Sequence, residues 1–208
     1  MSTATASTTD PAIRTYTELW AYARQPDMLL TRCFAGVIGR ALEGGQTPLI
    51  CGMAEATFQD LLAVHFPGAV LGNGEPLENA SLAAEIADLA ALLLEHRADS
   101  RPALEWLAQA IASAAMGSDH LWQDMGLPDR GLLSRLLSTY FPSLAALNRG
   151  DMKWKKFFYK QLCQRAEVPL CKAPHCQACS DYVHCFGAES GDAHWFAVAD
   201  PGGQPLWP

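Results

Sequence analysis

The chain has 208 residues, half of them hydrophobic and 18% charged, which suits one domain, or one domain with a small appendage, built on a sizeable core. Its formal charge of −7 argues against general nucleic-acid binding, and no uncharged apolar run approaches the ~20 residues of a membrane-spanning helix. The Ser/Thr/Ala-rich start shows neither the basic region nor the apolar run of a secretory signal, so residues 1–12 are expected to be a disordered tail and the compartment cytoplasmic and reducing.

The body, residues 13–167, reads as helical. Ile13, Tyr16, Leu19, Trp20 and Ala23 lie at helical spacing over 13–24. Pro26-Asp27 opens a second helix, which Gly44-Gly45 stops. A third runs over about 54–65 and ends at Pro67, followed by a turn-rich connection through Gly72-Asn73-Gly74. The clearest amphipathic pattern spans 78–97, with Leu82, Ile86, Leu89, Ala90, Leu93 and Leu94 on the 3.6-residue period. Ser100-Arg101-Pro102 offers an N-cap and a first-turn proline for a helix to about Met116. Pro128 begins another, closed by Pro142, and 151–165 forms the last long one. His120 reads as a helix-start residue, and Cys33 and Cys51 as buried small hydrophobes.

One short strand could lie at 193–199, but it has no partner, so the expected fold class is an all-α helical bundle. Gly52-Met53 with Leu61-Leu62 and Phe66-Pro67 is echoed by Gly126-Leu127 with Leu136-Leu137 and Phe141-Pro142. The echo fits either a duplicated helical hairpin or a common way of ending a buried helix before proline.

Charge is unevenly distributed. All five lysines lie between Lys153 and Lys172, and Arg149 to Lys172 holds seven basic residues against two acidic ones. Within 151–165, Trp154, Phe157, Phe158 and Leu162 share one face while Lys153, Lys156 and Lys160 share another. The apolar face suits core packing. The cationic face can stabilise an anionic centre, attract an oxyanion such as molybdate or phosphate, or dock an acidic partner.

That helix leads into Cys171, Cys176, Cys179 and Cys185, spaced C-x4-C-x2-C-x5-C. Residues 168–187 hold too few large apolar side chains to fold by burial alone, so a metal cross-link is expected. Iron–sulfur proteins use cysteine runs of this density. Structural zinc more often takes two separated short-spaced pairs, and here there is one C-x2-C pair. Spacing favours iron–sulfur, with zinc or no metal as the other readings. Cys163, His175 and His184 are additional candidate ligands; as ordinary residues they would be a helical thiol and two exposed loop histidines. The chain lacks a Gly-x4-Gly-Lys-Ser/Thr loop, Gly-x-Gly-x2-Gly, Gly-x-Ser-x-Gly and His-Glu-x2-His, so no independent catalytic constellation is visible.

Met152-Lys153-Trp154-Lys155-Lys156-Phe157, Gln161-Leu162-Cys163, the four-cysteine array with Ala173-Pro174 inside it, and Cys185-Phe186-Gly187 together resemble the C-terminal signature of the NifQ family of nitrogen-fixation proteins. Upstream, His120-Leu121-Trp122, Met125-Gly126-Leu127, Arg130 and Phe141-Pro142 are also similar, so the resemblance runs from about residue 28 to 187. The resemblance implies an iron–sulfur metallochaperone, not an enzyme. Its cargo would be molybdenum in a cluster of [4Fe-4S] or [Mo-3Fe-4S] type, on Cys171, Cys176, Cys179 and Cys185. It implies donation for the nitrogenase iron–molybdenum cofactor, with the assembly scaffold and the nitrogenase iron protein as partners, and molybdate or a Mo–S species as the incoming metal. No nucleic acid or membrane is implied, and the tail 188–208 receives no role. Two other readings stand beside it: a zinc-stabilised interaction module, and an iron–sulfur DNA-repair glycosylase-like enzyme. The latter family has an x6 first gap and a helix–hairpin–helix that this chain lacks.

Overall fold

A computed structural model describes residues 13–25, 28–167 and 182–189. All regular structure among them is helical: α1 (Tyr16–Trp20), α2 (Leu29–Glu43), α3 (Glu55–His65), α4 (Ala80–Glu95), α5 (Pro102–Ala115), α6 (Leu121–Asp124), α7 (Arg130–Tyr140), α8 (Pro142–Leu147), α9 (Trp154–Arg165) and α10 (Tyr182–Phe186). The expected all-α class therefore holds for these residues, and none of their helices is long and apolar enough to cross a membrane. The tail at 1–12 and the short strand expected at 193–199 lie outside the described residues.

Helix α5 is the hub. Leu104, Leu107, Ala108, Ala110, Ile111 and Ala112 have no exposed surface, which is the burial an all-round apolar helix requires. It packs on α4, α2, α3 and α6, while α1 lies on α2, α8 on α7 and α9 on α4. Phe34, Phe58, Phe66, Phe141 and Phe158 fill the spaces between these helices and are fully buried; each such side chain contributes about 1.5–3 kcal/mol.

Capping decides where the helices differ from the sequence expectation. The helix expected over 13–24 is only Tyr16–Trp20, framed by a reciprocal capping box between Thr15 and Glu18. After it the chain tightens into turns and Arg24 N–H bonds His65 O at 2.9 Å. The second helix runs from Leu29, capped by Met28; Pro26-Asp27, expected to open it, lie outside the described residues. Ser100 does not cap α5; Arg101 holds that position, and Pro102 is the first helical residue. The helix expected from Pro128 starts at Arg130, because Asp129 caps it by accepting from Leu132 N–H at 2.8 Å. Pro142 does not simply close α7: it opens α8, where a first-turn proline costs no hydrogen bond.

The internal echo has a local structural basis. Gly52 and Gly126 both have positive φ, at 79° and 60°. The helices that follow, α3 and α7, are each 11 residues long, and Phe66 and Phe141 end them with nearly the same backbone, φ −135° ψ 59° and φ −134° ψ 55°. Beyond the prolines the two diverge: residues 69–77 continue without a helix, whereas Pro142 enters α8.

Candidate metal centre

Helix α9 leads toward the cysteine array, and the bundle holds it firmly. Trp154, Phe157 and Phe158 are buried, and Trp154 Nε1 donates to Ser134 Oγ of α7 at 3.0 Å. The Tyr159 hydroxyl donates to Glu85 Oε1 of α4 at 2.5 Å; burial and this carboxylate push the phenol up to about 12. Arg165 clasps Glu95 through both terminal nitrogens. The lysines divide by use. Lys155 Nζ donates to Gly117 O at 2.7 Å and to the Asp124 carboxylate. Burial raises the Asp124 pKa, against the pull of Lys155. Gly117 must be glycine here, because a Cβ would collide with that carboxyl. Lys156 is exposed and Lys160 half-buried.

Cys185 sits in α10, a single helical turn where the sequence pointed to a loop. Five residues cannot sustain a helix alone, so its position comes from tertiary contacts. Lys153 N–H donates to Cys185 O, and Gly187 N–H to Val183 O, each at 2.8 Å. The rings of Tyr182 and Phe186 stack at 4.6 Å. Phe186 passes so close to Gly150 that a Cβ there would lie 3.2 Å from the ring. Cys185 itself is half-buried against the edge of the core.

A buried carboxylate fastens the next residues. The Glu189 side chain is 5% exposed, with Oε1 3.4 Å from Arg130 Nε and Oε2 3.9 Å from His120 Nδ1. Arg130 also donates to Asp151 Oδ2 at 2.8 Å and to the carbonyls of Asp151 and Met152 at 3.0 Å. One guanidinium thus joins the start of α7, the approach to α9 and the chain beyond α10. His120 directly precedes α6, as expected, and its backbone N–H donates to Gln123 Oε1 at 3.2 Å.

Among the residues singled out from sequence, Cys171, Cys176, Cys179 and His175 lie outside the described residues. Cys185 is the array member whose setting is described, and a half-exposed thiol on a fixed backbone fits a cluster ligand. His184 is exposed on α10, and Cys163 is half-buried in α9. Among the described residues no three His, Cys, Asp or Glu side chains converge as a metal set. Cys33 is fully buried and its thiol pKa is pushed up by burial. Cys51 is only half-buried, in contrast to the expectation; its N–H bonds Ser113 Oγ at 2.9 Å, which holds it at the edge of the core. Sequence reasoning missed Asp124 and Glu189. Asp124 stands in the stretch His120 to Arg130, noticed there only for its resemblance. Glu189 is an isolated acid in a tail without pattern.

A family model described as NifQ matches residues 33–187. The chain belongs to the NifQ family. It is 38% identical over 157 residues to "Protein NifQ" of Azotobacter vinelandii, covering 68% of this chain and 80% of that one. It is likewise 38% identical over 167 residues to "Protein NifQ homolog" of Sinorhizobium fredii, covering 77% and 73%. "Protein NifQ" of Rhodobacter capsulatus is 41% identical over 98 residues, 47% of this chain and 54% of that one. No solved structure matches. The NifQ match takes in all four array cysteines, Lys155, Asp124 and Arg130, and ends two residues before Glu189. Membership assigns the chain to nitrogen fixation.

Proposed function

We propose that this protein is an iron–sulfur metallochaperone that carries molybdenum and donates it for assembly of the nitrogenase iron–molybdenum cofactor, with no catalytic turnover of its own. The observation that carries the reading is the NifQ match across a segment that includes the whole C-x4-C-x2-C-x5-C array. Cys171, Cys176, Cys179 and Cys185 would hold the cluster, and thiolates are the ligands that sulfur-rich iron and molybdenum centres take. Such a centre would supply the sulfur setting in which molybdenum is kept for transfer. The chain's own work is to hold Cys185. Lys153 N–H fixes its carbonyl, Phe186 and Tyr182 seat its helix, and Arg130 fastens the residue four positions on. Cys163 in α9 and His184, next to Cys185 in sequence, are with His175 the further groups we assign to the incoming metal. The partners would be the cofactor-assembly scaffold and the nitrogenase iron protein.

The test is transfer. Protein purified without oxygen and loaded with molybdenum is added to a cofactor-assembly mixture lacking molybdate. Cofactor formation is expected to proceed as well as with free molybdate. A loaded protein that supports none would remove the carrier role, whatever its cluster content.

A further inference from the structure

A groove of about 500 Å³ is lined by Arg149, Lys160, Gln161 and Gln164 and by Tyr182 and Phe186 of α10, the helix that also carries Cys185. Its described lining has two cations, several amides and no acid, in a chain whose 22 acidic residues outnumber its 15 basic ones. Neither Arg149 nor Lys160 has an ion pair or hydrogen bond among the described residues. Their neighbours on α9 do: Lys155 is held by Asp124 and Arg165 by Glu95. A smaller cavity of about 110 Å³ near Arg40 and Ser113 is different. Its charges are already matched, Arg40 by Asp119 and Asp124 by Lys155, so it suits water.

Two cations facing one groove, without an ion-pair partner or a lining carboxylate among the described residues, give it a local positive potential inside an acidic protein. Guanidinium and ammonium groups bind oxyanions through charge-assisted hydrogen bonds, and amide N–H groups add neutral donors. The groove is roomy enough for a hydrated anion. We propose that it binds a tetrahedral oxyanion of the class of molybdate, held by Arg149 and Lys160 against α10, the helix that carries Cys185. This rests on the molybdenum-carrier reading for its biological ligand, but not for its chemistry. The Tyr182–Phe186 stack forms an apolar wall along the groove.

Equilibrium dialysis of the full chain against molybdate at low ionic strength tests it. About one molybdate per chain should be held, displaced by sulfate and weakened by salt. The Arg149→Ala/Lys160→Ala double variant should bind roughly tenfold or more weakly. Arg149→Glu, on the exposed rim, should do the same, and Lys156→Ala should bind normally, all with unchanged helix content. Equal binding by the double variant, or none by the unaltered chain, overturns the groove site. Anaerobically purified protein that holds iron and molybdenum on its cysteines, but takes up no free molybdate through these residues, would overturn the groove alone. Protein that binds molybdate in the groove but holds no iron would leave the groove standing and remove the cluster reading.

Discussion

His65 is 4% exposed and ringed by Phe34, Phe66 and Trp106. Its Nδ1 lies 2.9 Å from Thr31 Oγ1, and its Nε2 has no hydrogen-bond partner among the described residues. Burial pushes its pKa down to about 4 from 6.5. The folded protein therefore refuses a proton that the unfolded chain accepts below pH ~6.5. Stability from this site is complete above pH ~6.5 and falls as pH drops toward about 4, by about 3 kcal/mol in all. Proton NMR of the ring checks this: no protonation of His65 above pH ~5 is expected, and a midpoint near 6.5 would refute it. Glu189 is a buried side chain of another kind, set between Arg130 and His120. Glu189→Gln preserves its shape but removes the attraction to Arg130 and His120. Because Arg130 keeps Asp151 and two carbonyls, the loss should be local, about 1–2 kcal/mol. Hydrogen exchange at Gly187 and Lys153 should then speed up about tenfold while α5 amides stay protected. Unchanged exchange at those two amides would show that the carboxylate does not hold α10 down.

Helix α2 meets the turn between α6 and α7 backbone to backbone. A Cβ on Gly36 would strike the Met125 carbonyl, and one on Gly126 would lie 2.8 Å from Gly36 Cα. Gly126 also has φ +60°, which a side chain resists. This contact seats the turn from which Asp124 and Arg130 reach α9 and the residues beyond α10. Gly36→Ala should lower unfolding stability by about 1–3 kcal/mol in denaturant titration, since neither partner is a flexible side chain. An unchanged midpoint would mean that the two segments are not pressed together. The long helices were legible because Ile86, Leu89 and Leu93, or Trp154, Phe157 and Phe158, follow the helical period and are buried where that period puts them. α8 and α10 were not legible as helices, and α6 was marked only by His120 as a helix start. They have 4 to 6 residues, too short to show a period, and exist through caps and contacts supplied from elsewhere in the chain. Pro142 was misread because a proline that ends one helix can equally begin the next.

Across the molecule, the uneven charge visible in the sequence takes on a division of labour. Lys155 and Arg165 fasten α9 to the body through Asp124 and Glu95, and Arg130 fastens the chain beyond α10. Arg149 and Lys160 are left to face the groove along α10, the helix that carries Cys185. The four-cysteine spacing pointed to a metal centre from composition and separation alone, and three of its four members lie outside the described residues. The pairs that hold α9 and the chain beyond α10 were not legible, because Asp124 reaches Lys155, and Arg130 reaches Glu189, across long stretches of sequence and only through folding. Asn73 makes the same point in the body. A turn residue in the sequence, it is 2% exposed in the structure and bonds the backbone of Ile50 and Met53 through both ends of its amide, so a connection that looked like plain loop is a fixed part of the bundle. Among the described residues the molecule is thus a helical body to which α9 and the chain beyond α10 are fastened by these ion pairs. The most direct measurement is the iron and molybdenum content of anaerobically purified protein, unaltered and with Cys185→Ala. The unaltered chain should be brown and hold several irons together with molybdenum, and the variant should lose most of both while its helix content stays the same. A colourless protein holding one zinc per chain, or a Cys185→Ala variant with full iron and molybdenum, would contradict the central claim.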